Sequence, residues 1–196
     1  MDVNVKDIKL REHTDFKTDV YAYGPIGEKA LMERITKSGK TYFDVSNIPA
    51  YRPYDIDIIQ TSNNDIEKSE YLISLQNDIP LKNLGAVSYE VKTDTYGIKS
   101  RNIVWEMISN SNPGCLARCM ADYLYYVFLD KDNNIAEEYL MKMKTVRKWL
   151  MKNFENINKC DYLKAKTMLR GKDNTGILLI NIDHLVENKI AVKMER

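Results

Sequence analysis

Two strand-like segments carry charged residues whose types and spacing suit metal-assisted hydrolysis. The first contains Asp55 and Asp57, and the second, predicted over 86–93, contains Glu90 and Lys92. Successive side chains of a strand alternate between its two faces, so Glu90 and Lys92 project from the same face. An aspartate at the same depth on an adjacent strand would lie roughly 5 Å from Glu90 between Cβ atoms. The pattern predicts two convergent carboxylates and a lysine, and either aspartate fits it.

Such a group has the chemistry for cleaving a phosphodiester bond. Cleavage requires charge neutralisation on the phosphate and a water that is nucleophilic near neutral pH, and a divalent metal supplies both. Mg²⁺ prefers near-octahedral oxygen coordination and keeps several waters, so two carboxylates and a substrate phosphate oxygen suit it. Lys92 should stay charged beside two acids and could position the attacking water or stabilise the transition state. We therefore expect a Mg²⁺ site, with Mn²⁺ as a substitute.

A further acid falls on the first predicted helix. A proline near its start and Gly39 after its end bracket this helix over 25–37. Glu28 lies three residues before Leu31 and seven before Ile35, so its carboxylate is on the apolar face. Two explanations stay open: an acid near the helix N-terminus that interacts with the helix dipole, or a carboxylate directed into a site.

Strand and helix signals alternate along the rest of the chain. Besides the strands over 55–60 and 86–93, apolar patterns and turn residues predict strands over 42–45, 102–107, 123–129, 177–182 and 190–194. Two more helices are predicted, one over 114–121 and one that carries an apolar stripe from Tyr139 to Phe154. The order predicts an α/β fold.

The order of helix, strand, Asp57-bearing strand, strand with Glu90-Val91-Lys92, helix and strand resembles the PD-(D/E)XK nuclease superfamily. Its members include restriction endonucleases, Holliday-junction resolvases and many phage nucleases. The residues over 54–59 and 89–94 carry the resemblance, and Gly114 with the segment 121–126 looks like the helix-to-strand junction of phage-type members. The resemblance therefore points to the phage or resolvase-like branch, on a phage or mobile element.

The resemblance also implies the architecture. We expect a mixed central β-sheet flanked by helices, with a restriction endonuclease-like core of αβββαβ order over about 24–130. A helical, basic C-terminal extension would follow over about 135–196. No repeat or linker separates these parts, so one nuclease-like domain over 1–196 is expected.

Residue roles follow from the same resemblance. The family's usual isoleucine–aspartate pair favours Asp57 over Asp55, which stays in reserve, and Glu28 matches the first-helix glutamate of resolvase-like members. The implied catalytic residues are Glu28, Asp57, Glu90 and Lys92, and the implied metal ligands are Asp57, Glu90 and the carbonyl of Val91.

Three further observations leave alternatives open. Glu106 follows the Glu90 strand and could approach the site, although an exposed strand acid explains it equally well. Cys115 and Cys119 share a helical face, but a zinc site would need distant His or Cys ligands and is not expected. The junction helix also carries Arg118 and its two cysteines where the family has small polar residues.

Charge is distributed unevenly along the chain. The 29 Lys and Arg against 28 Asp and Glu argue against attachment to nucleic acid by bulk charge. Residues 139–172, however, carry ten basic and two acidic side chains, which leaves the remainder acidic. This asymmetry favours a phosphate-binding surface over a merely solvated helix face. The candidate nucleic-acid-binding residues are Lys144, Arg147, Lys148 and Lys152.

Together these features predict a Mg²⁺-dependent nuclease, specifically a DNA endonuclease, and a possible homodimer because double-strand cutters commonly pair two active sites. The alternative is a non-catalytic nucleic-acid- or protein-binding module that retains the nuclease fold. The mean hydropathy of −0.45, the charged N-terminus and the three cysteines predict a cytoplasmic protein with no membrane association.

Overall fold

A computed structural model describes residues 16–62, 65–109, 112–170 and 173–195. The helices are α1 (Phe16–Lys37), α2 (Lys68–Gln76), α3 (Gly97–Ser100), α4 (Cys115–Arg118), α5 (Met143–Lys152) and α6 (Ile182–Glu187). The strands are β1 (Thr41–Asp44), β2 (Ile58–Thr61), β3 (Ala86–Asp94), β4 (Asn102–Ser109), β5 (Asn112–Pro113), β6 (Tyr123–Leu129), β7 (Ile135–Lys142), β8 (Leu163–Arg170), β9 (Asp173–Asn181) and β10 (Ala191–Lys193).

The central sheet has six strands in the order β1-β2-β3-β6-β7-β10. Its neighbours are antiparallel except β3 and β6, which are parallel. A parallel pair needs a crossover, and here the crossover contains α3, β4, β5 and α4. The protein is thus a mixed α/β fold with a mixed central sheet flanked by helices, and this part of the prediction is confirmed.

The two faces of the central sheet have different covers. Helix α1 packs on one face, where Leu31 and Ile35 are buried against Tyr125 and Val127. A Cβ atom on Gly27 would lie only 2.4 Å from the Thr93 hydroxyl, so glycine permits this close approach.

A second sheet covers the other face. It is four-stranded, in the order β5-β4-β9-β8, and its inner residues Trp105 and Leu178 share a core with Tyr126 and Phe128. The Val104 amide donates a hydrogen bond to the Tyr126 hydroxyl at 3.1 Å and ties the two sheets together. The sequence patterns did not predict this second sheet.

The region beyond residue 135 also differs from its prediction as a helical extension. Strands β7 and β10 join the central sheet, and β8 and β9 join the second sheet. The apolar stripe predicted as one helix is divided, because Tyr139 lies on β7 while α5 begins only at Met143. Phe154 lies beyond α5 and is 65% exposed. Apolar residues recur every two positions in the strand part of this stripe and every three or four positions in the helix part. Treating the whole stripe as one helix overlooks that change.

Smaller differences concern the ends of elements. Helix α1 begins at Phe16 and includes Pro25, which was expected near its start. Residues 68–76 form α2, a helix that is not among those predicted from the sequence. Within the described ranges, no helix has the length and apolar character needed to cross a membrane.

Candidate active site

Asp57 immediately precedes β2 and lies beside β3, the strand with which β2 pairs. Its backbone amide donates a hydrogen bond to the Tyr89 carbonyl at 2.9 Å, and its Oδ2 accepts one from the Val91 amide at 2.7 Å. The strand predicted from residue 55 actually begins at Ile58. The Asp57 amide and carboxylate therefore both continue the pairing with β3. These two hydrogen bonds hold the carboxylate beside the Glu90-Val91-Lys92 segment.

Glu90 and Lys92 project from the same face of β3, as their spacing predicted. The Lys92 ammonium lies 2.5 Å from Glu90 Oε1. The Glu90 residue is 3% exposed, whereas 44% of the Lys92 side chain is exposed. The thiol of Cys115, the first residue of α4, lies 3.8 Å from Glu90 Oε1. Glu90 is thus enclosed, and Lys92 reaches from it toward the surface.

Burial dominates the electrostatics of the two acids. It raises the pKa of Asp57 to about 6 and that of Glu90 to about 8, and each pKa is lowered by the Lys92 charge. Asp57 also raises the pKa of Glu90. Burial is the largest influence on Lys92 and opposes its charge, but Glu90, Cys115 and Asp57 together outweigh burial, and the pKa of Lys92 rises well above its ordinary value. Half-buried Asp57 and buried Glu90 therefore share Lys92, and these three side chains carry a net negative charge when both acids are ionised.

Glu28 reaches the same region from α1. Burial is the main reason that its pKa is raised, and the charge of Asp44 raises it further, while a hydrogen bond with Ser46 lowers it. The charge of Glu28 in turn raises the pKa of Asp57. The structure brings Glu28 within electrostatic range of Asp57, although its immediate neighbours are Asp44 and Ser46 at the end of β1.

Asp55 lies before β2, in a turn, although the predicted strand over 55–60 included it. Its backbone is left-handed, with φ of 46°, which ends the preceding turn. Its carboxylate forms a two-pronged ion pair with Arg118, at 2.9 Å to Nε and 2.8 Å to Nη2. The Cys119 thiol donates to the Asp55 carbonyl at 3.3 Å. Asp55 is thus anchored to α4, beside Asp57 and Glu90 rather than aligned with them.

The other open alternatives have different outcomes. Glu106 lies on β4 in the second sheet, where it pairs with Ile177. The main charges that act on Glu90 come from Lys92, Asp57 and Asp55, and Glu106 is not among them. Across the described ranges, no three His, Cys, Asp or Glu side chains are grouped as metal ligands.

The donor set at the site matches a divalent cation that prefers oxygen. Half-buried Asp57 and buried Glu90 offer two carboxylates, and Mg²⁺ characteristically binds one or two carboxylates together with waters and substrate phosphate. The N–H and C=O of a strand residue point to the same side. Because the Val91 amide binds Asp57, the Val91 carbonyl also faces this edge. The implied ligands Asp57, Glu90 and Val91 are therefore neighbours, and metal binding by them stays a prediction.

The predicted nucleic-acid-binding residues lie on α5. Lys144, Lys148 and Lys152 are exposed at intervals of four residues and occupy one helix face. Arg147 is half-buried and donates a hydrogen bond to the Cys119 carbonyl, directly after α4. Trp149, on the opposite face, is 8% exposed and belongs to the core. Helix α5 thus presents cations outward and touches the segment that carries Arg118.

Sequence reasoning missed the role of α4 at the site. Cys115 contacts Glu90, and Arg118 binds Asp55, so the short helix closes one side of the carboxylate pair. The local signal was present, since the cysteines and Arg118 stand out where small polar residues were expected. Only the folded chain shows that they face residues near 55 and 90.

Two cavities lie away from this site, on the α1 face of the sheet. One has a volume of about 310 Å³ and is lined by Arg34, Lys37 and Glu138 among others, and the second, of about 160 Å³, adjoins it at Arg34. Neither is lined by Asp57, Glu90 or Lys92. The candidate site is therefore separate from these cavities.

Comparisons of this chain with protein-family models, curated proteins and solved structures find no match.

Proposed function

We propose that this protein is a Mg²⁺-dependent nuclease that hydrolyses phosphodiester bonds in DNA as an endonuclease. The observation that carries the proposal is a pair of carboxylates, from half-buried Asp57 and buried Glu90, that share the cation Lys92. Burial of acids in excess of bases is costly unless a cation or protons compensate. A divalent ion bound by Asp57, Glu90 and the Val91 carbonyl would provide that compensation.

The order of elements supports the finer fold assignment within this proposal. Helix α1, strands β1 to β3, helix α4 and strand β6 follow each other in αβββαβ order, with β3 parallel to β6. This is the order expected of a restriction endonuclease-like core and hence of the PD-(D/E)XK resemblance. The inserted elements α2, α3, β4 and β5, and the second sheet that begins with β4 and β5, would be additions to that core.

The proposed mechanism assigns a task to each residue. The ion, when bound, would neutralise phosphate charge and make a water nucleophilic near neutral pH. Asp57 and Glu90 would hold the ion in their ionised forms, and Lys92 would donate a hydrogen bond to the attacking water or to a phosphate oxygen. Glu28 would complete the site from α1, where its charge raises the pKa of Asp57.

The exposed face of α5 supplies a binding surface for the polymer. Its cations would contact successive phosphates, since an eight-residue interval along a helix spans about 12 Å. Such contacts bind any sequence and set register without reading bases. This supports a nucleic acid as the substrate, rather than a small phosphodiester.

The decisive experiment is cleavage of supercoiled plasmid, linear duplex, single-stranded and branched DNA with Mg²⁺, Mn²⁺ or EDTA. We expect cleavage only with metal, and its loss in Asp57→Asn, Glu90→Gln and Lys92→Ala. Lys37→Ala, an exposed cation on the α1 face, is the control and should cut as well as wild type. The enzyme proposal fails if the wild type is inert on every substrate or if the variants stay fully active.

One observation favours a second candidate, a non-catalytic nucleic-acid-binding module. Glu90 is already ion-paired to Lys92, so part of the site's charge is neutralised within the protein. The same assays separate the candidates: the module would bind DNA in a salt-dependent way and cut none of the substrates. A homodimer stays a prediction, which light scattering of the purified protein would test.

A further inference from the structure

Arg118 stands out among the cations near the carboxylate pair. It is the last residue of α4, and 46% of its side chain is exposed. Its Nε and Nη2 bind the two oxygens of Asp55. A guanidinium has five N–H donors, and within the described residues Nη1 has no protein acceptor. The side chain is thus held in place and still has donors to offer.

Contacts just before, within and just after α4 set the position of Arg118. A Cβ atom on Gly114 would lie 2.5 Å from the Glu106 carbonyl oxygen, so only glycine lets the helix begin so close to β4. The Cys115 thiol contacts Glu90, and the Met120 amide donates to the Tyr54 carbonyl at 2.8 Å. These contacts hold the guanidinium at the rim of the carboxylate pair.

The electrostatic environment agrees with this position. Asp55 is the main reason that the pKa of Arg118 is raised, and the Glu90 charge raises it further. Arg118 is therefore within the field of the Glu90 carboxylate. On its other side, Arg147 donates to the carbonyl of Cys119, the next residue in the chain. The segment that carries Arg118 thus contacts α5, the helix whose exposed face carries Lys144 and Lys148.

We infer that Arg118 is a phosphate-binding residue, held by Asp55 so that its free donors face the phosphodiester as a nucleic-acid strand passes from the carboxylate pair onto α5. The inference rests on the proposed function, which it deepens by naming a contact to the substrate backbone. A fork-shaped guanidinium suits this task because it binds phosphate oxygens through two N–H groups at once. Lysine at this position would offer only a point charge.

Arg118 could act as a structural partner of Asp55 or as a phosphate-binding residue, and Arg118→Ala alone would not distinguish these two roles. If Arg118 served only to fasten α4 to Asp55, then Asp55→Asn and Arg118→Ala would have equal effects, because either one breaks the ion pair. If Arg118 binds phosphate, Asp55→Asn leaves the phosphate contact available, whereas Arg118→Ala removes it. Arg118→Lys keeps the charge and loses the fork.

The first test is binding of a fluorescein-labelled DNA oligonucleotide in EDTA, measured by anisotropy over a range of salt concentrations. Arg118→Ala should weaken binding and lower the slope of log affinity against log salt by about one, the loss of one phosphate contact. Asp55→Asn and the control Lys37→Ala should keep the wild-type slope. Equal slopes for wild type and Arg118→Ala would overturn the inference, whether or not the protein cuts DNA.

Cleavage kinetics provide the second test. We expect kcat/KM to fall about 100-fold in Arg118→Ala, the scale seen when one transition-state donor is removed, and about 10-fold in Arg118→Lys. Asp55→Asn should lose at most about 10-fold, since the guanidinium remains but is no longer held in place by the ion pair. Equal losses in Asp55→Asn and Arg118→Ala would make Arg118 a tether and overturn the inference while leaving the nuclease proposal intact. A wild type that binds through Arg118 but never cuts would instead overturn the nuclease proposal alone.

Discussion

Two buried glutamates on opposite faces of one sheet have different surroundings. Glu90 on β3 and Glu138 on β7 are 3% and 5% exposed. Glu138 lies on the α1 face, where Arg34 Nε contacts its Oε2 at 2.5 Å and the Tyr125 hydroxyl donates to the same oxygen. Glu90 lies on the face covered by the second sheet and shares Lys92 with Asp57.

The difference lies in the balance of acids and bases, not in burial. Glu138 has an arginine and a phenol directed at it, and the hydrogen bond to Glu138 is the main reason that the pKa of Arg34 is raised. Such a closed pair holds α1 against the sheet. At Glu90 the second carboxylate leaves negative charge in excess, which favours protons or a bound cation. A buried acid therefore indicates a site only when its surroundings leave it uncompensated.

The largest expected effect tests this contrast through activity. Glu90→Gln keeps the shape of the side chain and removes its charge, so cleavage should fall by about 10³-fold, as for loss of a key electrostatic contact. The matched variant Glu138→Gln should cut DNA within a few-fold of wild type. Initial rates on plasmid with Mg²⁺ measure both, and circular dichroism checks folding. If Glu138→Gln loses as much activity as Glu90→Gln, the contrast is wrong.

The second prediction concerns stability, for which Glu138→Gln should have the larger effect of the two variants. Glu138→Gln should lower the free energy of unfolding by about 2 kcal/mol, below the cost for a fully buried pair because Arg34 is 26% exposed. Glu90→Gln should lower it less, since Asp57 remains as a partner for Lys92. Urea unfolding at neutral pH measures both values. A greater loss in Glu90→Gln would mean that the Glu90 group is a structural ion pair.

The third prediction concerns pH. Burial raises the pKa of Glu90 from 4.5 to about 8 and that of Asp57 from 3.8 to about 6, so the folded protein retains protons that the unfolded chain releases. The native state then binds more protons between about pH 4 and pH 8, and the free energy of unfolding should fall as pH rises through this window. Urea unfolding in EDTA should show this slope in wild type and a smaller one in Glu90→Gln. Equal slopes in the two proteins would contradict it.

The same ionisation should appear in metal binding. Carboxylates bind a divalent ion in their deprotonated form, so Mn²⁺ should raise Tm more at about pH 8 than at about pH 6. Glu138→Gln should show the same dependence, and Glu90→Gln should lose most of the shift. Thermal unfolding with and without Mn²⁺ measures it. A shift that is the same at both pH values would argue against these acids as ligands.

The smallest expected effect is on DNA binding, and it compares exposed lysines of α5 with Lys37 of α1. Lys144→Glu with Lys148→Glu should weaken DNA binding and lower its salt slope by about two, one for each phosphate contact. Lys37→Glu, beside the cavity near Glu138, should leave the slope unchanged. Anisotropy in EDTA measures each slope. A similar drop for Lys37→Glu would indicate attraction by overall charge rather than a defined surface.

Local periodicity explains which elements could be predicted. The apolar run over 123–129 became β6 with the predicted bounds, and the alternation around Glu90 and Lys92 became β3. The stripe from Tyr139 was misassigned because a strand and a helix join inside it without a turn signal. The second sheet joins β4 to β8 and β9, which are distant in sequence, so no local pattern contains it.

The sequence by itself determined that Glu90 and Lys92 share a face, because alternation in a strand depends only on local backbone geometry. It also placed the basic residues of α5 after the acidic part of the chain. Only the tertiary structure decided which aspartate joins Glu90, since Asp57 pairs with the Val91 amide while Asp55 turns away to Arg118. Those partners lie 34 and 63 residues away along the chain, and only folding brings them within hydrogen-bonding distance.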